Sequence, residues 1–166
     1  TKVEPGCGNI KDTKALIGEA PGKNEDIQGY PFVGKAGQHL SDILELVGLR
    51  REDLWLGNVI NCRPPDNDIK SFPDAVSLCP TLWMSPTLDT MPNLRCIVAL
   101  GATAGNIWFP GKRVAEMVTL ARKLPSGVTV VGAYHPSYAI RPFGGRPITD
   151  SIAASLRRAM VYVNYG

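Results

Sequence analysis

The sequence predicts an α/β fold, a three-layer α/β/α sandwich in which helices cover both faces of a four-stranded parallel sheet. Four short apolar segments have the length and composition of buried strands. Helical segments separate them along the chain, which is typical of strands joined in parallel. Polar or glycine-rich residues directly follow three of the strands. Because parallel sheets bind ligands beyond the carboxyl ends of their strands, these residues also predict where a ligand binds.

The individual elements are predicted from the spacing of apolar residues. The four strands are continuous apolar segments at 13–17, 54–60, 95–100 and 128–133. The helices have apolar residues three and four positions apart and are placed at 35–47, within 73–88, and at 102–108, 114–120 and 149–163. Gly48 follows the first helix and Pro73 opens the second, positions that these residues favour.

Composition and charge exclude several classes of protein. The 166 residues predict a single domain covering 1–166, at roughly 150 residues per domain. The hydrophobic content of 44% argues against a disordered chain, and no apolar run approaches the roughly 18 residues of a membrane span. The net charge of +3 is compatible with binding a polyanion but does not require it. Because the sequence starts at Thr1, it could be a piece of a longer protein.

The four cysteines do not form a common metal-binding motif. None of Cys7, Cys62, Cys79 and Cys96 belongs to a CxxC pair, so a zinc ribbon is not expected. The sequence shows no secretory signal. We therefore expect free thiols in a reducing compartment.

Side chains able to bind or react follow the predicted strands. Glu19 comes after the first strand, Asn58 lies in the second with Asn67 in the loop beyond it, and His135 follows the fourth. The carboxyl ends of parallel strands meet at one edge of the sheet. We therefore expect these four side chains near one crevice.

Two of these residues offer specific hydrogen bonds. The amide of Asn58 has a donor and an acceptor, a pair that matches O4 and N3–H of uracil and that cytosine reverses. His135 precedes Pro136 and could act as an electrophile or general acid. The alternatives are an Asn58 satisfied by neighbouring backbone and a structural His135.

The loops contribute an aromatic ring and several carboxylates. Phe32 in YPFVG could be a stacking platform for a base or an anchor in the core. Glu19, Glu25 and Asp26 could face a ligand or be solvated acids in an ordinary turn. The loop at 18–22 lacks the spacing and the Lys-Ser/Thr of a phosphate-binding P-loop.

Four motifs together resemble the family 4 uracil-DNA glycosylases. They are GEAPG-x-x-ED at 18–26, YPFVGKAGQ-L at 30–40, N-x-x-x-CRPP-x-N at 58–67 and YHPSY-x-x-R at 134–141. The segment VALGATA at 98–104 is also similar, and the resemblance covers about 6–163. Any one motif is a weak signal, whereas four in the order and spacing of the family are a strong one.

The resemblance implies a uracil-DNA glycosylase fold with a central four-stranded parallel sheet. It implies a hydrolase that flips deoxyuridine out of DNA, hydrolyses the N-glycosidic bond and leaves an abasic site, as in base excision repair. The implied partners are single- or double-stranded DNA containing uracil, free uracil as product, and a polymerase or other replication or repair protein. No membrane partner is implied. The implied location is cytoplasmic and nucleoid-associated, in a bacterium, archaeon or virus.

The family's motifs assign a role to each matching residue of the catalytic site. His135 would donate to uracil O2, Phe32 would stack on the base, and Asn58 would read its N3 and O4 edge. Glu19 and Asn67 would serve the catalytic step near the sugar and the attacking water.

The remaining matches concern the pocket wall and the DNA. Ala20, Gly22 and Glu25 would line the substrate pocket. Ala20 stands where other families of the superfamily have a water-activating Asp, so that mechanism is not expected. Residues that would lie on the loop entering the DNA minor groove are Ser137, Tyr138 and Arg141.

The cysteines depart from the family pattern. The family usually holds a [4Fe–4S] cluster on four cysteines, of which the first two form an N-terminal CxxC. Cys62 and Cys79 match the second pair, but the first pair would precede Gly6, where this sequence has five residues. Only two of the four expected ligands of a [4Fe–4S] cluster are therefore present. Either the sequence is a piece of a longer protein that could bind the cluster, or this member of the family has lost it. The chemistry needs no cofactor, because the cluster of this family is structural.

Two other functions are compatible with the same fold. One is a non-catalytic module that binds DNA or a replication or repair protein. The intact candidate site favours an enzyme over this module. The other is a covalent trap for uracil-DNA, which is not expected because 23–30 contains no histidine.

Overall fold

A computed structural model describes residues 2–165 as a mixed sheet between two layers of helices. The strands are β1 (Cys7–Gly8), β2 (Lys14–Gly18), β3 (Trp55–Asn58), β4 (Cys96–Leu100), β5 (Ala121–Lys123) and β6 (Thr129–Ala133). They lie in the order β1-β3-β2-β4-β6-β5. The central four are parallel, and β1 and β5 pair antiparallel at the edges. The predicted three-layer α/β fold around four parallel strands is confirmed.

The helices connect the strands and cover both faces of the sheet. They are α1 (Lys23–Gln28), α2 (Lys35–Leu46), α3 (Pro73–Cys79), α4 (Ser85–Asp89), α5 (Gly101–Trp108), α6 (Val114–Met117), α7 (Pro136–Ala139) and α8 (Gly145–Tyr165). Short 3-10 turns occur at Arg51–Asp53 and Pro65–Asn67. A π-helical segment, Pro80–Met84, joins α3 to α4. It falls within the helix predicted at 73–88, where Pro80 has no N–H for the regular hydrogen-bond ladder.

The structure contains several short elements that the sequence did not predict. The edge strands β1 and β5 have two and three residues, and all of β5 is exposed, so neither carries an apolar pattern. The short helices α1 and α7 lie inside loops that are rich in polar residues. The strand predicted at 54–60 is shorter in the structure, where β3 ends at Asn58.

The core lies in two layers, one on each face of the sheet. Leu16, Leu56 and Val98 pack on the face covered by α2 and α8. Ile17 and Ile97 pack on the opposite face with residues of α5. Successive strand residues point to opposite faces, which explains why the central strands are apolar throughout. Among residues 2–165, no helix combines the length and apolarity that crossing a membrane requires.

The strand register brings the predicted site residues to one edge. Gly18 at the end of β2 is paired with Asn58 at the end of β3, and Leu100 of β4 is paired with Ala133 of β6. Glu19 and His135 follow these strands within two residues. Glu19, Asn58 and His135 therefore lie at the carboxyl edge of the sheet.

A buried carboxylate lies at the start of the described chain. Glu4 is 1% exposed, and neither oxygen of its carboxylate has a hydrogen-bond partner among residues 2–165. Its backbone N–H donates to the Asn61 carbonyl, and the Asn61 amide donates back to the Glu4 carbonyl. Burial, together with the negative charges of Glu25 and Asp26, raises the pKa of Glu4 to about 7.

We expect Glu4 to make folding stability depend on pH. The folded-state pKa of about 7 exceeds the ordinary value of 4.5. The free energy that protonated Glu4 contributes to folding stability is therefore complete below about pH 4.5 and is lost as pH rises through 7. The change in the free energy of unfolding caused by Glu4→Gln should therefore be about 2 kcal/mol more favourable at pH 8 than at pH 5. Urea unfolding at both pH values measures the difference. The exposed control Glu45→Gln should change neither value, and equal effects of Glu4→Gln at both pH values would contradict the prediction.

Candidate functional site

A cavity of about 230 Å³ opens at the carboxyl edge of the sheet. Six of the predicted site residues line it: Ala20, Gly22, Glu25, Phe32, Asn58 and His135. They come from the loops after β2 and β6, the segment before α2 and the end of β3. The structure thus brings together, in one small cavity, side chains more than a hundred positions apart in the sequence.

His135 lines this cavity with a neutral imidazole. Its Nδ1 accepts the backbone N–H of Ser137 at 3.2 Å and lies 2.8 Å from the Ser137 hydroxyl. Burial, aided by the positive charge of Arg141, lowers the pKa of His135 to about 4. The imidazole is therefore neutral near pH 7, and because Nδ1 accepts, the ring proton is assigned to Nε2.

Asn58 offers an unused amide to the same cavity. It is 4% exposed, and its side chain makes no hydrogen bond to any residue in 2–165. A buried amide normally has a partner. The structure therefore does not support the alternative of an Asn58 amide satisfied by neighbouring backbone. Its donor and acceptor are available to a ligand.

Phe32 is both a wall of the cavity and part of the core. The side chain is buried, and its ring centroid lies 6.3 Å from that of His135 at an interplanar angle of 31°. Gly18 makes room for the ring, since a Cβ there would lie 2.6 Å from Phe32 Cζ. The interpretation of Phe32 as an anchor in the core is therefore confirmed. The ring also lines the cavity, and its role as a stacking platform stays a prediction.

Glu25 fixes the loop that carries Phe32. Its Oε1 accepts the backbone N–H groups of Val33 at 3.1 Å and Gly34 at 2.9 Å. Charge-assisted hydrogen bonds of this kind are stronger than neutral ones. Glu25 consequently lines the cavity and also shapes it, a role that the sequence motif did not indicate.

Glu19 and Asn67 lie beside the cavity, in an adjoining groove of about 780 Å³. The Glu19 carboxylate accepts the hydroxyl of Thr103 on α5. The Asn67 side-chain carbonyl accepts Nε–H of Arg63 at 2.9 Å, and its backbone has a φ of +58°. The structure does not bring these two predicted catalytic residues into the same cavity as Phe32, Asn58 and His135. Thr103, which holds Glu19, was not among the predicted residues.

The predicted DNA-contacting residues follow His135 directly: Tyr138 and Arg141 are exposed and Ser137 is half-buried. Arg141 places its guanidinium carbon 4.4 Å from the centre of the Tyr138 ring, a cation–π arrangement. Ser137 is tied to His135 by the hydrogen bonds already given. The adjacent Phe143 is fully exposed. Phe143 was not among the predicted site residues. Its only signal in the sequence is its position between Pro142 and two glycines.

The cysteines do not complete a metal site. Burial, followed by the charge of the Cys79 thiol, raises the pKa of Cys62. Cys96 is buried in β4, where burial raises its pKa to about 12, and Cys7 lies in β1 at the opposite edge of β3 from β2. No group of three or more His, Cys, Asp or Glu side chains within 2–165 could hold a metal ion. The described residues therefore do not fit a four-thiolate cluster.

Comparison with known proteins identifies similar sequences over most of the chain. The sequence model described as Uracil DNA glycosylase superfamily matches residues 5–153. The Type-4 uracil-DNA glycosylase of Thermotoga maritima is 39% identical over 145 residues, which cover 85% of this chain and 73% of the relative. The proteins of the same name from Archaeoglobus fulgidus and Pyrobaculum aerophilum are 37% and 34% identical over 145 residues. These alignments cover 82% of this chain in both cases, and 71% and 72% of the relatives.

The matched segment contains the whole cavity, since every residue that lines it falls within 5–153. The identity of more than a third over most of both chains extends well beyond the four motifs. The chain therefore belongs to the uracil DNA glycosylase superfamily and, within it, to the type-4 uracil-DNA glycosylases.

Proposed function

We propose that this chain removes uracil from DNA by hydrolysing the N-glycosidic bond of deoxyuridine. The observation that carries the proposal is the composition of the cavity: a ring face from Phe32, a free amide from Asn58 and a neutral Nε2–H donor from His135. Uracil has a flat ring, an O4 and N3–H edge, and an O2 acceptor. Each of these features has a counterpart in the cavity.

Binding requires the deoxyuridine to leave the DNA stack. Unstacking costs a few kcal/mol, which the contacts in the pocket must offset. Phe32 stacks on the extruded base, an interaction of about 1–3 kcal/mol. Asn58 donates to O4 and accepts N3–H. Cytosine reverses this pattern, so the same amide disfavours it.

Bond cleavage places negative charge on the departing base. The bond between N1 and C1′ breaks, its electron pair leaves with uracil, and the sugar becomes oxocarbenium-like. His135 Nε2–H donates to O2 and stabilises the developing anion. Water then bonds to C1′ and gives up a proton, which neutralises the uracil anion. The products are the abasic site and free uracil.

Glu19 and Asn67 complete the proposed catalytic set from the adjoining groove. The Glu19 carboxylate faces the cationic sugar and the water, and Thr103 holds it in place. Asn67 positions substrate or water and is itself fixed by Arg63. The alanine at position 20 cannot activate water, so no general base is assigned there. No step is assigned to an iron–sulfur cluster, because only Cys62 and Cys79 of the described residues match its ligands.

Contact with the DNA is proposed for the cluster beside His135. Ser137, Tyr138 and Arg141 approach the minor groove, where Arg141 adds a positive charge and Tyr138 an aromatic face. We propose a cytoplasmic location beside the nucleoid on the ground of this substrate. Contact with a polymerase or another repair protein is also proposed, and no surface is assigned to it.

Excision from an oligonucleotide with a single uracil tests the function directly. The protein is incubated with single- and double-stranded forms, and alkali cleaves the abasic product. Matched oligonucleotides with thymine or cytosine at the same position are the controls. Cleavage confined to uracil supports the proposal. Binding without cleavage by the folded protein would instead favour the non-catalytic module.

Replacement of the stacking ring should separate base binding from DNA binding. We expect Phe32→Ala to raise the inhibition constant of free uracil about tenfold, because a stacking contact is lost. Affinity for uracil-free DNA should change less than about twofold, since Phe32 lies in the cavity and is not among the exposed residues proposed to contact DNA. The half-exposed Phe72 supplies the control Phe72→Ala, expected to change neither value. Equal losses of uracil and DNA affinity in Phe32→Ala would count against a stacking role.

A further inference from the structure

We propose that Arg51, which does not line the cavity, positions the Phe32 ring for stacking on the base. Arg51 belongs to the turn Arg51–Asp53 that leads into β3. This inference rests on the proposed function, because it deepens the role given there to Phe32.

Arg51 binds two successive carbonyl groups of the loop. Its Nη1 donates to the Phe32 carbonyl and its Nη2 to the Pro31 carbonyl, both at 2.7 Å. Nη1 also lies 3.2 Å from the hydroxyl of Ser41 on α2. A planar guanidinium that binds two acceptors at once fixes their orientation as well as their distance.

The peptide that follows Phe32 is held from both ends by opposite charges. Arg51 binds its carbonyl oxygen, and Glu25 binds its N–H, which belongs to Val33. Glu25 also binds the N–H of Gly34. A peptide group that is fixed at both its donor and its acceptor cannot rotate without breaking two charge-assisted hydrogen bonds.

This restraint is needed because Phe32 has an unfavourable backbone conformation. Its φ is +56°, in the left-handed region that bulky residues avoid. Gly37 of α2 approaches the same peptide so closely that a Cβ there would lie 2.0 Å from the Phe32 carbonyl carbon. Without Arg51, the backbone conformation of Phe32 loses one of its two charged supports.

The position of Arg51 in the chain joins the two base-recognition groups. Arg51 precedes β3, and Asn58 ends that strand. A single segment, 51–58, therefore binds the Phe32 loop through Arg51 at its start and carries the Asn58 amide at its end. We infer that Arg51 sets the position of Phe32 relative to Asn58.

A double-mutant cycle in the uracil excision assay tests this inference. Single-turnover excision and inhibition by free uracil are measured for Arg51→Ala, Phe32→Ala and the double variant, with thermal unfolding of each. Arg50→Ala is the matched control, since Arg50 is exposed and pairs with Asp53. We expect Arg51→Ala to lower excision about tenfold or more and to weaken inhibition by uracil by a similar factor. In the Phe32→Ala background, the same change should alter excision less than about twofold.

The outcomes separate this inference from the proposed function. A folded Arg51→Ala protein that excises uracil as fast as Arg50→Ala would overturn the inference. The same loss with and without the Phe32 ring would also overturn it, because Arg51 would then act through general stability. Wild-type excision by Phe32→Ala would instead refute the stacking role itself. If Arg51→Ala does not fold, Arg51→Lys and Arg51→Gln enter the same cycle under the same criteria, with Lys expected to retain more activity than Gln.

Discussion

Replacing His135 with alanine is expected to lower the rate of uracil excision by about 10²–10³-fold without unfolding the protein. The imidazole is the only donor that the cavity directs at uracil O2 in our mechanism, and O2 is where negative charge develops. A hydrogen bond that strengthens as the bond breaks affects the transition state more than the bound substrate. The loss should therefore fall on the single-turnover rate rather than on affinity for the DNA.

The pH dependence adds a second arm to this experiment. The pKa of His135 is lowered to about 4, so the ring stays neutral from about pH 6 to pH 8 and the excision rate should not report its titration there. His39→Ala is the control, because the other histidine lies on α2 and hydrogen-bonds Thr149. A rate that falls tenfold between pH 6 and pH 8 in wild type but not in His135→Ala would show that a charged imidazole is required, contrary to this mechanism.

Replacing Asn58 is expected to have the second largest effect. Asn58→Ala removes a buried donor and acceptor together, and the paired hydrogen bonds to a base edge contribute about 1–3 kcal/mol of discrimination. We therefore expect excision to fall up to about 10²-fold. Asn164→Ala, an exposed substitution at the end of α8, serves as the control.

Asn58→Asp tests recognition rather than mere space filling. The carboxylate keeps the size of the side chain but has no donor for uracil O4, and it can accept the N4 amino group of cytosine. The ratio of excision from uracil-containing to cytosine-containing DNA should therefore shrink. An unchanged ratio in a folded variant would show that Asn58 does not read the base edge.

The parallel core of the fold is predictable from the sequence because its signal is local. Strands buried on both faces are continuous apolar segments, as Cys96–Leu100 illustrates. The edge strand Ala121–Lys123 is exposed and short, so tertiary pairing with β6 rather than local pattern makes it a strand. The π-helical segment after Cys79 likewise depends on how α3 and α4 pack, although Pro80 marks its position.

The sequence predicts the edge of the sheet at which the candidate site lies, but only part of how its side chains are grouped there. The carboxyl-edge rule brings Asn58 and His135 together, yet it does not distinguish the cavity from the groove that receives Glu19. That choice depends on Thr103, a hydrogen-bond partner 84 positions away in the sequence. The contacts of Glu25 and Arg51 with the Phe32 loop span 8 to 20 positions, and no spacing rule reveals them.

Gly18 limits how the substrate range of this protein could be redesigned. The space of its missing methyl group is shared by Phe32 Cζ at 2.6 Å and Asn58 Oδ1 at 2.7 Å. The ring and the amide therefore both border the space beside Gly18, and a side chain at position 18 would displace one or the other. Room for a larger base has to come from another part of the wall, such as the loop at Ala20 and Gly22. Selection for new substrates should accordingly leave position 18 unchanged and collect substitutions in that loop.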